Sequence, residues 1–407
     1  MIEVVGVRAD GPDEAARRLL ADAEVVLGGE RHLAMARALG VEAELIPWPS
    51  PMRPALPGLI ASVADRRVVV LASGDPMVSG IGSTLVRLLG PAAVRIRPAA
   101  SSVALARAEM RWPEETCDFV SLVGRDLDRL RRHLAPGNRV IALSGGAGTP
   151  AAIADLLRSE GFGPTRMTVL SDLGSADQAR FDGVAEDWPY AAVPPLNVLC
   201  LEVAVTAGAR PVGLSLAPGL PDEDFEHDGQ LSKRDVRASA LAHLRPCPGD
   251  LLWDVGAGAG SIGIEWSRLD RRNRAIAVER DAERADRIRR NAARLGVPEL
   301  RVVQADATIG LADLPTPDAV FVGGGANAEV IEACWAALPV AGRIVVHTVT
   351  LETERAVIDA WQRHGGELTR LSVEVTQPIG RFTGWKPARP VVQWAAAKRL
   401  PIVEETA

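Results

Sequence analysis

Residues 251–263 read Leu251-Leu252-Trp253-Asp254-Val255-Gly256-Ala257-Gly258-Ala259-Gly260-Ser261-Ile262-Gly263. A short apolar strand runs into an aspartate and three alternating glycines, and helix-compatible residues follow over 262–269. Glycine at this density lets the backbone turn sharply and approach a ligand closely, because no Cβ intervenes. The next strand, 274–278, leads to Glu279, 19 residues after Gly260, where a carboxylate suits the two hydroxyls of a ribose. A third strand over 300–303 leads to Gln304-Ala305-Asp306, a second acid near the expected adenine edge. Together these residues describe a pocket for an adenosine-containing cofactor.

Gly258-x-Gly260-x-x-Gly263 formally matches the dinucleotide fingerprint, and a tight turn that binds nothing is the plain structural reading. Two features favour S-adenosylmethionine over both. A carboxylate at Asp254 opposes a pyrophosphate at the helix N-terminus, whereas an ammonium and a sulfonium tolerate it. Asp306 also belongs to the methyltransferase pattern. On that basis Gly256, Gly258 and Gly260 form the turn under the methionine moiety, Glu279 takes the ribose diol and Asp306 the adenine amino group.

At 407 residues the chain is long enough for two domains. It is 47% hydrophobic and 24% charged, the composition of globular rather than disordered protein. A net charge of −6 gives no reason to expect nucleic acid as a partner. Cys117, Cys200, Cys247 and Cys334 lack CxxC spacing, and the six histidines are scattered, so no metal site is expected. Cys200 and Cys334 lie in apolar segments and read as small buried hydrophobes. No run reaches transmembrane length and the N-terminus enters a strand at once, so the expectation is a soluble cytoplasmic enzyme without membrane contacts.

The Pro/Gly-rich stretch 206–221 divides two αβ series, giving expected domains of 1–207 and 208–407. In the second, strands at 251–255, 275–279, 300–303, 318–322 and 343–347 alternate with helices near 282–295, 328–338 and 352–364. That alternation predicts a parallel Rossmann-like sheet covered on both faces. Segments 368–376 and 391–398 have no helix between them and should pair antiparallel at its edge, with a loop joining them. In the first series strands read at 2–6, 24–27, 68–72, 94–97, 119–122, 139–143, 167–170 and 196–203. The fold class is α/β in both halves.

Leu71-Ala72-Ser73-Gly74-Asp75-Pro76-x-x-x-Gly80-x-Gly82 resembles the signature of the tetrapyrrole (corrin and sirohaem) methylase superfamily. Val4-Val5-Gly6-Val7, Ser101-Ser102, Ser121-Leu122-Val123-Gly124-Arg125 and Pro195-Leu196-Asn197-Val198 follow in the superfamily's order. The first loop, 6–11, lacks the middle glycine those proteins usually carry. The second half, through Asp222-Glu223-x-Phe225-x-His227-Asp228-Gly229-x-x-Ser232-Lys233-Arg234-Asp235-Val236-Arg237, resembles the class I methyltransferase that accompanies this methylase in cobalamin biosynthesis.

The resemblance implies two αβ subdomains in the first half, with S-adenosylmethionine in the cleft between them. Gly74, Asp75, Pro76 and Ser102 would contact it there, so that each domain carries one cofactor. It further implies methylation of a precorrin at C5 and C15, with loss of CO2 from an acetate side chain at C12. The first domain would act at C5; the second would act at C15 and decarboxylate. Such a substrate bears many carboxylates, which makes Lys233, Arg234, Arg237, Arg381 and Lys386 candidate clamps. No side chain is singled out for acid–base catalysis. Related enzymes self-associate, so a homo-oligomer is expected. Methylation of another substrate, or cofactor sensing without catalysis, are the competing readings.

Overall fold

The computed structural model describes residues 1–399. These form two compact units, Met1–Leu127 with Pro136–Arg210, and Asp128–Ala135 with Pro211 onward.

The first unit begins with strands β1 (Ile2–Val7), β2 (Val25–Gly28), β3 (Glu44–Pro47), β4 (Val68–Ser73) and β5 (Val94–Arg97), a parallel sheet in the order β3-β2-β4-β1-β5. Helices α1 (Glu14–Ala21), α2 (Glu30–Ala38), α3 (Met52–Ser62) and α4 (Ile81–Leu89) make the crossovers. Both faces of the sheet are buried: Val4, Val25, Leu27 and Val70 pack on one side, Val5, Val26, Val69 and Leu71 on the other. This two-sided burial explains why β2 and β4 read as unbroken apolar runs. From β1 the chain crosses one way to β2, and from β4 the other way to β5. The direction therefore reverses between neighbouring β1 and β4, where open α/β sheets bind ligands.

After α5 (Ser102–Met110) come β6 (Asp118–Ser121), β7 (Arg139–Leu143), α6 (Thr149–Ser159), β8 (Arg166–Ser171), β9 (Ala179–Val184) and β10 (Asn197–Glu202). They make a second sheet, β6-β7-β10-β8-β9, in which only β6 and β7 run parallel. Sequence reading misses β3 and β9. Both are edge strands with few buried side chains, so neither carries a strong apolar signal.

The second unit opens with α7 (Arg234–Leu244), β11 (Leu251–Val255), α8 (Ser261–Leu269), β12 (Arg274–Glu279), α9 (Ala282–Arg294), β13 (Arg301–Gln304) and the short α10 (Ala307–Gly310). It continues with β14 (Ala319–Val322), α11 (Ala328–Ala337), β15 (Arg343–Thr348), α12 (Leu351–His364), β16 (Glu367–Leu371), β17 (Glu374–Ile379), β18 (Phe382–Pro387) and β19 (Val391–Ala397). The main sheet has the order β13-β12-β11-β14-β15-β19-β16. Leu252, Ala277, Phe321 and Val345 pack on one face, while Trp253, Val278, Val320 and Val346 pack on the other. The direction reverses between β11 and β14.

β16 pairs antiparallel with β19, as anticipated, but the last segments differ from the expectation in two ways. β16 ends at Leu371 instead of running to 376, and 374–387 is no loop. It is a separate two-stranded hairpin, β17–β18, whose residues are almost all exposed. Among the described residues, no helix is long and apolar enough to cross a membrane, and no His/Cys/Asp/Glu group could hold a metal. Cys200 and Cys334 are buried, and burial raises both thiols to about 12.

Candidate functional site

In the second unit the glycine loop lies at the reversal point. A Cβ on Gly256 would stand 1.9 Å from the Gly324 carbonyl oxygen, so the ends of β11 and β14 meet through main chain alone. Gly256 has φ +67°, Gly258 +58° and Gly260 +76°, all in the region that favours glycine. Gly258 N–H donates to Glu279 Oε2 at 2.9 Å, and Asp281 N–H donates to Oε1 at 3.1 Å. The buried Glu279 carboxylate thus fixes the loop from the end of β12 and keeps further lone pairs for a ligand.

Asp254 has a different role from the one its charge suggests. It is 1% exposed and lies behind the loop, where Oδ2 accepts from Gly263 N–H at 2.9 Å and Oδ1 has no partner. Burial, with Glu279 adding to it, raises its pKa to about 7. It bears on helix α8 rather than on a ligand. Gly263 packs tightly here, since a Cβ would come 3.1 Å from Asp254 Oδ2.

Residues 222–231 wrap the outside of the loop. The Gln230 carbonyl would lie 2.9 Å from a Cβ on Gly258. The turn is tied to α9 through Asp228, whose Oδ2 meets Arg284 Nε at 2.9 Å and Arg287 Nη1 at 3.1 Å. Asn291, also on α9, joins the two layers, donating to Glu226 O at 2.9 Å and to Ala259 O at 3.0 Å. Asp228, Arg284, Arg287 and Asn291 escape the sequence reading because their pairing spans more than fifty residues. The Asp228 carboxyl is held well below its usual range by the Gln230 N–H and the Arg284 guanidinium.

The basic residues separate. Arg237 is corrected: it is fully buried and cannot clamp a substrate. Its guanidinium bonds Glu265 at 2.5 Å, Asp222 at 3.2 Å and the Ser232 and Leu220 carbonyls, and lies 4.9 Å from the Phe225 ring. Lys233 is exposed and lies 3.4 Å from Asp222, and exposed Arg234 opens α7. Arg381, at the hairpin tip, stacks on Phe382, and Lys386 lies on β18 opposite Val375. Asp306 is exposed and caps α10, accepting from Thr308 N–H at 3.1 Å, which lowers its pKa.

The first unit repeats the device. A Cβ on Gly6 would stand 1.8 Å from the Gly74 carbonyl oxygen, joining the ends of β1 and β4. Gly74 has φ +55°, and a Cβ there would meet Ala100 O and Ser101 Cα, each at 2.9 Å. Asp75 Oδ1 accepts from Met77 N–H at 2.8 Å and shapes the turn, while buried Pro76 has Gly80 and Gly82 packed on it. Val78 reaches the core beneath the second sheet, so this loop lies at the junction of the two subdomains. Ser101 caps α5 and Ser102 is its first helical residue. Loop 8–11 closes on itself through an Arg8–Asp10 pair at 2.8 Å. Buried Ser121, Ser171 and Asn197, at one end of strands β6, β8 and β10, each leave an oxygen without a partner among the described residues.

Two family models match the chain: Tetrapyrrole (Corrin/Porphyrin) Methylases over residues 14–189 and Precorrin methyltransferase domain over residues 223–398. A precorrin-6Y C(5,15)-methyltransferase (decarboxylating) of Sinorhizobium sp is 45% identical over 401 residues, covering 98% of this chain and 96% of that protein. The chain belongs to the precorrin-6Y C(5,15)-methyltransferase (decarboxylating) family. Another relative of that name, from Mycobacterium tuberculosis (strain ATCC 25618 / H37Rv), is 42% identical over 98% of this chain and 100% of its own length. A probable cobalt-precorrin-6B C(15)-methyltransferase (decarboxylating) of Pyrobaculum calidifontis is 37% identical over 43% of this chain and 93% of its own. The crystal structure of the C-terminal domain of precorrin-6Y C5,15-methyltransferase from Rhodobacter capsulatus is 42% identical over 45% of this chain and 100% of that one, with a TM-score of 0.43.

Precorrin-6Y methyltransferases of this family use S-adenosylmethionine, and the residues present fit it. At both reversal points the strand ends meet as bare main chain with no room for a Cβ. In the second unit the Glu279 carboxylate stands at the end of the adjacent strand.

Proposed function

We propose that this chain methylates precorrin-6Y at C5 and C15 and removes CO2 from the C12 acetate, in cobalamin biosynthesis. The first unit acts at C5, and the second acts at C15 and decarboxylates. The observation that carries this reading is the presence of two glycine-built reversal points in one chain, matched along nearly its whole length by enzymes of that name. The division of labour is supported by single-unit relatives named for C(15) methylation with decarboxylation.

When bound, S-adenosylmethionine supplies a methyl group already activated on a sulfonium. The chain's residues then orient an electron-rich ring carbon toward that methyl and exclude water. Gly256, Gly258 and Gly260 pass main chain under the methionine part, Glu279 receives the ribose hydroxyls and Asp306 the adenine amino group. Gly74, Asp75, Pro76 and Ser102 serve the first cleft. The conjugated macrocycle accepts the electron pair left by CO2, so no side-chain base is required for that step. Lys233, Arg234, Arg381 and Lys386 take the ring's carboxylates. Arg381→Ala therefore weakens precorrin binding while sparing S-adenosylhomocysteine; equal loss of both would refute its role. The enzyme works in the cytoplasm as a homo-oligomer.

With precorrin-6Y, the full-length chain should consume two equivalents of cofactor and release one CO2. Glu279→Gln should drop calorimetric binding of S-adenosylhomocysteine from two sites to one and abolish CO2 release. A variant with two intact sites removes Glu279 from the pocket. A parent enzyme that consumes one equivalent and releases no CO2 removes the reaction.

A further inference from the structure

The N-terminal cleft has a basic side chain that neither the fold nor its packing requires. Arg31 and His32 lie in the first turn of α2, at the end of β2, and Ser73 ends neighbouring β4, one residue before Gly74. Arg31 Nη2 donates to Ser73 Oγ at 2.7 Å and lies 3.2 Å from His32 Nε2, which is itself 3.1 Å from Ser73 Oγ. Burial and then Arg31 lower the His32 pKa to about 4, so its ring is neutral and adds no second positive charge beside the guanidinium.

The guanidinium is therefore held at one point by neutral groups, while most of its five N–H donors remain for other partners. Arg31 forms no ion pair with any described residue, although most arginines of this chain do. Burial lowers its pKa, with Asp172 at the end of β8 opposing through space. A cation in the first turn of a helix also opposes the helix dipole. Burial and the helix dipole thus disfavour a positive charge here, with Asp172 opposing them, a conflict found at residues kept for a ligand.

We propose that Arg31, positioned by Ser73 and His32 beside the Gly74-Asp75-Pro76 loop, binds a carboxylate of the tetrapyrrole and orients the ring for methyl transfer in the first unit. A planar guanidinium with free paired donors suits a carboxylate, which it can bind through two parallel hydrogen bonds. This rests on the proposed tetrapyrrole substrate.

The test uses the full-length enzyme with precorrin-6Y and, separately, S-adenosylhomocysteine. Arg31→Ala should raise KM for the first unit's C5 methylation roughly tenfold or more, leave both S-adenosylhomocysteine sites intact, and leave the second unit's C15 methylation and CO2 release unchanged. Arg31→Lys should recover part of the loss, since the charge returns without the fork. Arg31 is only partly covered and forms no ion pair with a described residue, so its removal strands no buried charge; Arg31→Gln provides a second variant of similar length. An unchanged KM in both neutral variants overturns the inference, as does parallel loss of cofactor binding. A parent enzyme that leaves precorrin-6Y unmethylated overturns the proposed function instead.

Discussion

Asp254 Oδ1 has no partner inside the second unit, and its carboxyl group titrates near neutrality. The folded-state pKa of about 7 stands above the ordinary carboxylate value of about 4. Between these limits the folded chain holds a proton that the unfolded chain releases, so this group's contribution to stability falls as pH rises. Asp254→Asn keeps an oxygen for Gly263 N–H and lacks the titration. Denaturant melts at pH 5 and pH 8 should show the parent losing more stability than the variant, by on the order of 1 kcal/mol or more. Parallel losses would mean that Asp254 is ionised throughout. The glycine pattern around this residue is legible in sequence because φ values near +60° demand glycine. The orientation of Asp254 is not, since its carboxylate meets Gly263 N–H only after strand and helix have packed. Arg237 illustrates the same limit: a basic residue in a charged stretch looks solvated until Glu265 and Asp222 close over it.

The segment 222–231 becomes part of the cleft wall only through α9. Helix α9 is legible from its Asp281 cap and amphipathic spacing, but its Arg284 and Arg287 read as ordinary surface charges. Asp228→Ala removes both ion pairs and the bond to Gln230 N–H, freeing the turn over Gly258. Asp228 and Arg284 are about one-third exposed, so the effect should be modest, about a fivefold weaker affinity for S-adenosylhomocysteine at the second unit. Calorimetry checks this, and unchanged affinity would make the wrap a passive cover. The division of 367–379 into two strands is not legible. Ser372 and Val373 contain no turn signal, and the chain leaves the main sheet because β19 ends its pairing with β16 at Leu371.

For the molecule as a whole, hairpin β17–β18 is the feature that a single copy accounts for least. Val375, Ile379, Phe382 and Trp385 are each more than half exposed. A two-stranded hairpin with both faces in water is at best marginally stable, and exposed apolar side chains on both faces, Val375, Ile379 and Phe382 on one and Trp385 on the other, normally meet a partner. A second copy of the chain, in the homo-oligomer proposed above, would supply one. Sedimentation should show Phe382→Glu/Trp385→Glu shifting the enzyme toward monomer, with little change in thermal stability of the monomer itself. An unshifted distribution places self-association elsewhere.

The paired contacts Gly6–Gly74 and Gly256–Gly324 each leave no room for one additional carbon. Alanine at Gly6 or at Gly256 therefore creates two separately silenced alleles of a single gene product. Mixed in one tube, the two proteins contain one working half of each kind. Whether they jointly finish the product then reports whether the half-completed macrocycle travels through bulk solvent between turnovers.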